Sequence, residues 1–258
     1  MAAPLSTAVS WVPWGDLDLP YHLAVDTAGG ARILTMRPWT GFTGRAVVVY
    51  HWYNGDVLTL PALPRAFVLA WLRAGYLVSI SDLGGDLWGN PFARSLSAAH
   101  QARLAADYGV TQTVLCGISG GGITSLLDVA GASPSVRGWL GIMPACGLRA
   151  LYDATHPTVM ASIEAAYGIT PGGANFTTQT AGHDPLTIAP SAFAGKWMRW
   201  YASPDDPVVP KALHSDALAA RVSGFALGGG VFQASGGHGD PSHAPTADVL
   251  AFLAQAFA

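Results

Sequence analysis

A single serine lies in a glycine-rich break between two apolar runs. The stretch reads TVLCGISGGGITSL, from Thr113 to Leu126, with glycines two residues before and two residues after Ser119. A serine hydroxyl is a weak nucleophile, so it needs a base, a group that orients the base, and donors for the developing oxyanion. Small residues at this spacing are required where a strand and a helix nearly collide at a strained turn. The pattern predicts a nucleophile elbow, with the N–H of Gly120 as one oxyanion donor.

The same stretch has two other interpretations. A glycine-rich turn between a strand and a helix can cradle a phosphate, or it can be a plain flexible turn. The phosphate interpretation has little support, because no Gly-Lys-Ser/Thr follows and the three-glycine dinucleotide spacing is not met. The motif alone favours the elbow and leaves the other two open.

Two histidines near the C-terminus are candidates for the base. His238 lies in ASGGHGDPSHAP just past a predicted strand end, and the glycines on both sides let the loop bend tightly. We favour His238 because a histidine between glycines has no evident packing role. His243 is the second candidate, and its alternative role is that of a surface or helix-entry histidine.

The orienting carboxylate is expected in the loop SPDDPVVP, which follows the predicted strand KWMRWYA. Asp206 precedes a proline, which favours an extended backbone and keeps the residue out of a helical turn. Asp205 could instead cap its own turn. We favour Asp206, and a purely structural pair of loop carboxylates is the alternative.

Aromatic residues occupy two loops expected near the serine. The loop HWYNG (51–55) follows a predicted strand, and we expect the N–H of Tyr53 to be the second oxyanion donor. An aromatic-capped strand end is the alternative. Trp52 and Trp88 are candidate walls of an apolar or aromatic substrate pocket, although aromatic residues more often belong to the core.

The candidate residues must be positioned by alternating strands and helices. β-Branched or aromatic runs predict strands, and apolar residues three or four positions apart predict helices between them. This alternation predicts an α/β fold with a mostly parallel sheet, helices on both faces and ligands at the carboxyl ends of the strands. The predicted strands are 31–37, 45–51, 75–81, 111–117, 136–143, 196–202 and 229–235, and the predicted helices are 60–73, 93–108, 120–131, 210–221 and 246–257.

One segment interrupts the alternation. Residues 146–195 form a far longer connection than α/β units normally use. We interpret the segment as a small, partly helical cap or lid-like insertion within a single domain, 1–258. A surface excursion without substrate contact is the alternative.

Composition limits the classes of partner. Half of the 258 residues are hydrophobic and 11% are charged, which excludes a disordered chain. The formal charge is −3 and the 13 basic residues are spread singly, so no surface for nucleic acid or for a membrane is indicated. We therefore expect a small, neutral or apolar partner.

Three further features of the sequence concern cellular location, membrane spans and cysteines. Residues 1–20 lack a positive region and a continuous apolar run, so we expect no signal peptide and, by default, a cytoplasmic protein. The uncharged stretch 110–127 contains glycines and hydroxyl residues that indicate a strand, a turn and a helix rather than a membrane span. Cys116 and Cys146 are too few for a disulfide framework and are expected to be buried free thiols.

With these motifs identified, nearly the whole chain resembles the α/β-hydrolase fold family. Ser119, Asp206 and His238 follow that family's order of nucleophile, acid and base. VVVYHWYNG is similar to the His-x-x-x-Gly strand end of the dienelactone-hydrolase-like branch, which implies an oxyanion role for Tyr53. SPDDPVVP is similar to the acid loop Gly-x-x-Asp-x-x-Val-Pro, which implies Asp206 as the acid. WLRAGYLVSISDLGGDLWGNP is similar to the family's fourth strand and its flanking elements, which implies a structural role for Asp82.

The resemblance implies a three-layer α/β-hydrolase fold and a function. Ser119 stands where the dienelactone-hydrolase-like branch has a thiol and where dehalogenases and epoxide hydrolases of this fold have an aspartate. A serine hydrolase of carboxylic esters, esterase- or lipase-like and working without metal or cofactor, is implied. One alternative is a catalytically silent binding or structural module, suggested by Trp52 where many members have glycine. Another is the same triad acting on amide, thioester or carbon–carbon bonds.

Overall fold

A sheet of eight strands forms the centre of the described chain. The computed structural model describes residues 21–38, 41–131, 134–154, 156–228 and 230–258. The strands are β1 (Tyr21–Ala28), β2 (Ala31–Pro38), β3 (Arg45–Tyr50), β4 (Leu77–Ser81), β5 (Gln112–Ile118), β6 (Val136–Ile142), β7 (Trp197–Ala202) and β8 (Val231–Gln233). Their order is β1-β2-β4-β3-β5-β6-β7-β8. The pairs β1/β2 and β2/β4 are antiparallel and all other pairs are parallel, so the mostly parallel sheet is confirmed.

Helices cover both faces of the sheet. They are α1 (Thr59–Ala62), α2 (Arg65–Arg73), α3 (Pro91–Tyr108), α4 (Gly121–Ala130), α5 (Leu148–Ala154), α6 (Pro157–Tyr167), α7 (Phe176–Gln179), α8 (Ala217–Val222) and α9 (Thr246–Ala256). Apolar residues of α2 and α9 share one buried cluster with the sheet, whereas α3, α4 and α8 share another. The predicted three-layer arrangement is therefore confirmed.

The predicted elements agree with the structure except at a few points. The hairpin strand β1 was not predicted, although Gly29 and Gly30, both at positive φ, form its turn and are a usual hairpin signal. The predicted helix 60–73 is wrong as one helix, because Pro64 follows Leu63, whose backbone is extended, and separates α1 from α2. Similarly, the predicted helix 210–221 is a π-helical turn, Ala212–Asp216, followed by α8.

The long connection between β6 and β7 contains α5, α6 and α7 and two short 3₁₀ turns. Its apolar residues, including Ile163 and Tyr167 of α6, form one buried cluster with Ile123 and Leu127 of α4 and with Trp88. The inserted segment, as we call residues 146–195, is thus packed on the helix that follows the candidate elbow.

Further predictions concern the two cysteines, membrane-spanning helices and the N-terminal residues. Cys116 and Cys146 are buried free thiols, as predicted. In the described ranges, no helix is both long enough and apolar enough to cross a membrane. Residues 1–20, in which we expect no signal peptide, lie outside the described residues, as does position 229 of the last predicted strand.

Candidate active site

Ser119 lies on a sharp turn between the end of β5 and the start of α4. Its φ is +49°, in the left-handed region that residues with a side chain rarely adopt. The turn is fixed on both sides: the Ser119 N–H donates to the Ile142 carbonyl at 3.0 Å, and the Ser119 carbonyl accepts from Gly122 and Ala145, each at 2.9 Å. These bonds hold the serine in a strained conformation, as at many functional sites.

The glycines around the serine are required for steric reasons. A Cβ at Gly117 would overlap the Ser125 hydroxyl, and a Cβ at Gly121 would overlap the carbonyl oxygens of Tyr50 and His51. Strand and helix therefore approach each other too closely for any side chain at these two positions. The geometry agrees with the elbow that the spacing predicts.

The structure brings the predicted nucleophile, base and acid together. Ser119 Oγ lies 2.9 Å from His238 Nε2, and His238 Nδ1 lies 2.7 Å from Asp206 Oδ2. The other carboxylate oxygen accepts the N–H groups of Val208 at 2.9 Å and Val209 at 3.0 Å. The three side chains thus form one hydrogen-bonded chain that ends in a carboxylate fixed by its own loop.

The charge of Asp206 determines the direction of these hydrogen bonds. Burial raises the pKa of Asp206, but hydrogen bonds from His238 and from the backbone of Val209 and Val208 outweigh it, so the pKa lies below its ordinary value of 3.8. The carboxylate is ionised at neutral pH and accepts a proton-bearing Nδ1. Nε2 is then free to accept the hydrogen bond of the Ser119 hydroxyl.

The second candidates lie elsewhere. Asp205 is exposed, and its backbone N–H donates to Ser203 Oγ at 3.0 Å. His243 is buried, and its Nδ1 lies 3.0 Å from the carbonyl oxygen of Asp240 in its own turn. His238 and Asp206 are therefore the pair that the structure places at Ser119.

The two predicted oxyanion donors are neighbours. A Cβ built on Gly120 would lie 3.4 Å from the backbone nitrogen of Tyr53. Within the described part of the chain, neither of these two N–H groups donates a hydrogen bond to the protein. Both are thus available beside the serine.

Asp86, which the sequence did not single out, and His51, the histidine of the His-x-x-x-Gly strand end, fix the loop of Tyr53. Asn54 has a φ of +58°, and its N–H donates to both carboxylate oxygens of Asp86, at 2.9 and 3.0 Å. The His51 ring contacts two carbonyl groups: Nδ1 lies 2.8 Å from the Trp52 carbonyl oxygen, and Nε2 lies 3.0 Å from the Asp82 carbonyl oxygen. Nothing in the spacing of these residues signals the contacts, because they join separate strand ends.

The candidate pocket residues Trp52, within this loop, and Trp88, which stacks on Tyr53, belong to different apolar clusters. Trp52 is partly buried against the cluster of α2 and α9, whereas Trp88 is 5% exposed and belongs to the cluster shared with the inserted segment. Both line a small cavity beside Gly120. Their contact with a substrate stays a prediction.

Two further residues near the site were missed. His214, in the π-helical turn, is buried, and its Nδ1 accepts the N–H groups of Cys146 and Gly147 at 3.2 and 3.3 Å. Burial lowers the pKa of His214 to about 4. The negative charge of Asp206 acts to raise the pKa, but its effect is smaller than that of burial. Met143, at a φ of +42°, places its Sδ 3.0 Å from the N–H of Gly239, next to His238. These contacts join distant parts of the chain, so no local pattern signals them.

Asp82, for which a structural role is implied, binds Arg32. Its Oδ2 accepts from Arg32 Nε at 2.8 Å and its Oδ1 accepts from the Arg32 backbone N–H at 3.1 Å. Among the described residues, no group of three or more His, Cys, Asp and Glu side chains is arranged to hold a metal ion.

Comparison with known proteins places the fold. No protein-family model and no curated protein sequence matches the chain. An esterase of Pyrococcus furiosus matches with a TM-score of 0.68 and 14% identity, over 95% of this chain and 96% of that one. A thermostable esterase from Pseudomonas putida matches with a TM-score of 0.62 and 16% identity, over 94% of this chain and 82% of that one.

Peptidases share the same architecture. A puromycin-hydrolyzing peptidase of Mycobacterium tuberculosis matches with a TM-score of 0.66 and 17% identity, over 92% of this chain. The chain spans 38% of the length of that peptidase and of a similar prolyl endopeptidase. The order of the strands, the two helical layers and these similar structures establish that the described chain has the α/β-hydrolase fold.

Proposed function

We propose that the protein is a serine hydrolase that cleaves carboxylic ester bonds through an acyl-enzyme. The observation that carries the proposal is the hydrogen-bonded chain from Ser119 through His238 to Asp206, on a serine held at positive φ. Esterases and peptidases among the similar structures support a hydrolase of this fold. The strand end VVVYHWYNG supports the dienelactone-hydrolase-like branch as its closest group, with serine in place of the thiol.

In the first step, Ser119 Oγ attacks the acyl carbon of the ester while its proton moves to His238 Nε2. A positioned base of this kind accelerates a reaction by roughly 10²- to 10⁴-fold. Asp206 stabilises the imidazolium that forms and keeps the proton on Nδ1. Since the pKa of Asp206 lies below 3.8, the carboxylate remains charged at neutral pH.

The carbonyl oxygen of the substrate becomes an oxyanion in this step. The N–H groups of Gly120 and Tyr53 receive it, and one such donor is typically worth about 3 to 4 kcal/mol in the transition state. His238 then returns the proton to the leaving alcohol, and the acyl group stays on Ser119. Water, activated by the same histidine, releases the acid.

The substrates are proposed to be small apolar or aromatic esters. Trp52 and Trp88 lie beside the candidate oxyanion donors, and the charge-poor sequence favours a neutral ligand. An amide bond is the second candidate, because two of the similar structures are peptidases. A catalytically silent module is disfavoured, because such a role does not require a completed hydrogen-bonded triad.

A substrate series tests the proposal. Aryl esters of increasing acyl chain length should be hydrolysed with a burst of aryl alcohol, faster than matched amides and thioesters, and Ser119→Ala should show neither burst nor turnover. Turnover of amides without turnover of esters would show that the bond is wrong and the site right. A folded protein that cleaves none of these substrates would contradict an enzymatic role.

A further inference from the structure

Trp88 lies between the candidate oxyanion donors and the inserted segment and contacts both. Its ring stacks on the ring of Tyr53, with centroids 5.6 Å apart and planes 26° from parallel. Its edge also faces Gly120, where a Cβ would lie 3.0 Å from the Trp88 Cζ3 atom. One indole therefore packs against both residues whose N–H groups are proposed to bind the oxyanion.

Helix α6 of the inserted segment fixes the turn that carries this indole. Trp88 Nε1 donates to Ser162 Oγ at 2.9 Å, and the Tyr167 hydroxyl donates to the Trp88 carbonyl at 2.8 Å. The side chain of Asn90 donates to the Ala166 carbonyl at 2.8 Å. Three hydrogen bonds from one turn to one helix set the position of the ring.

The turn that carries Trp88 has an unfavourable backbone conformation and is enclosed by its neighbours. Trp88 has a φ of +50°, which is costly for a bulky residue, so surrounding contacts must stabilise it. On the other side, Gly89 lies so close to α4 that a Cβ would come within 2.5 Å of Leu127 Cδ1. The turn is thus enclosed between α4 and α6.

The same helix also reaches Tyr53 directly. The Tyr53 hydroxyl donates to the Thr158 carbonyl, in the first turn of α6, at 3.3 Å. Tyr53 therefore contacts Trp88, and both residues contact α6. A shift of α6 would move the Trp88 ring and the Tyr53 loop together.

We propose that Trp88 is a positioning residue that couples the docking of α6 to the oxyanion-binding N–H groups of Tyr53 and Gly120. The inference rests on the proposed function and adds that the inserted segment acts on the chemical step, beyond any role in covering the substrate. Oxyanion donors act only within a narrow distance of the charge they stabilise, so small displacements lower turnover. A Trp88 that served as a pocket wall would instead alter substrate binding.

Two variants of the helix contacts and one matched control test the coupling. Ser162→Ala removes the indole's acceptor, and Tyr167→Phe removes the donor to the Trp88 carbonyl. The control, Thr180→Val, deletes a buried hydroxyl of the inserted segment that donates to the Phe176 carbonyl of its own turn at 2.9 Å, and it leaves the hydrogen bonds of α6 in place.

We expect each of the two variants to lower kcat about fivefold, the effect of one hydrogen bond, with KM nearly unchanged. Binding of a trifluoromethyl ketone, whose tetrahedral adduct carries an oxyanion, should weaken by the same factor. Thr180→Val should change neither quantity. A rise in KM at constant kcat, or equal losses in all three variants, would overturn the coupling.

A measurement without turnover separates this inference from the proposed function. Amide hydrogen exchange of residues 51–55 should accelerate in Ser162→Ala and Tyr167→Phe and stay at the wild-type rate in Thr180→Val. Unchanged exchange in the first two variants would overturn the coupling whether or not the protein is an esterase. Absence of ester turnover in the wild type would overturn the proposed function, and the exchange rates would still decide the coupling.

Discussion

Side chains surround Ser119 on one side, whereas backbone N–H groups lie on the other. On one side, the acid–base side, side chains make the contacts: His238 and Asp206 form consecutive hydrogen bonds of 2.9 and 2.7 Å. On the other, the oxyanion side, the available groups are backbone N–H donors of Gly120 and Tyr53, positioned by ring stacking and by a helix of the inserted segment.

This difference determines how each side responds to change. The acid–base side depends on residue type, because only particular atoms transfer or orient a proton. The oxyanion side depends on shape, because any residue supplies an N–H and packing decides where it points. We therefore expect abrupt losses from substitutions on the first side and graded losses on the second.

The largest effect is expected from His238→Ala. Triad members act as a unit, so removing the base also leaves Ser119 unactivated, and kcat for an aryl ester should fall by about 10⁵-fold or more, beyond the effect of a single general base. The control change His243→Gln should leave kcat nearly unchanged, because in the described structure the His243 ring bonds to the Asp240 carbonyl of its own turn. Strong loss in a folded His243→Gln, with activity retained in His238→Ala, would exchange the two roles.

The next effect is expected from Asp206→Asn. The amide cannot stabilise the imidazolium and favours the wrong histidine tautomer, so kcat should fall about 10⁴-fold. Asp205→Asn changes the adjacent, exposed carboxylate in the same way and should have little effect. Steady-state kinetics on the two variants decide between the acids, and equal losses would show that the loop rather than the Asp206 carboxylate matters.

A third, smaller effect concerns stability on the acid–base side. Burial lowers the pKa of His214 from 6.5 to about 4. Between these two pH values the residue is protonated in the unfolded chain and neutral in the folded protein. The free energy of unfolding should therefore decrease as pH falls from 6.5 to about 4, by about 3 kcal/mol from this residue. His214→Asn places an amide oxygen near the position of Nδ1, so it keeps an acceptor for Cys146 and Gly147 and should remove that part of the pH dependence. Urea denaturation across this range measures it, and parallel curves for wild type and variant would contradict the assignment.

The smallest effect compares one glycine from each side. Gly120→Ala should lower kcat about tenfold, because its Cβ would lie 3.0 Å from Trp88 and 3.4 Å from the Tyr53 nitrogen, and a displaced donor loses part of its stabilisation. Gly237→Ala, beside His238, adds a Cβ with no atom within 4 Å and should be nearly neutral. Equal kcat values for the two variants would remove the contrast between shape and residue type.

The sequence predicts which side chains meet at Ser119, and the reason is physical. Serine, histidine and aspartate at strand ends are uncommon combinations of reactive groups, and the glycines around Ser119 and His238 signal the turns that present them. The seven predicted strands all exist, and for all but the partly exposed β8 their apolar pattern reflects burial in the sheet. Asp206 was favoured over Asp205 because Pro207 restricts the residue before it.

The oxyanion side could be predicted only in part. The turn after β3 indicated Tyr53 as a donor, but the stacking of Trp88 and its bond to Ser162 join residues far apart in the chain. Likewise, the bond from Gly239 to Met143 and the burial of His214 depend on packing between elements, which no local spacing encodes. Contacts of this kind need the folded arrangement.

The most direct test of the account is to locate the nucleophile. A serine-directed fluorophosphonate, followed by intact-mass measurement and peptide mapping, should give a single adduct on Ser119 in the wild type. The adduct should be absent from Ser119→Ala and should form far more slowly in His238→Ala, because the base activates the hydroxyl. A wild-type protein that is folded yet unlabelled at neutral and mildly alkaline pH, or labelled at another residue, would contradict the central claim.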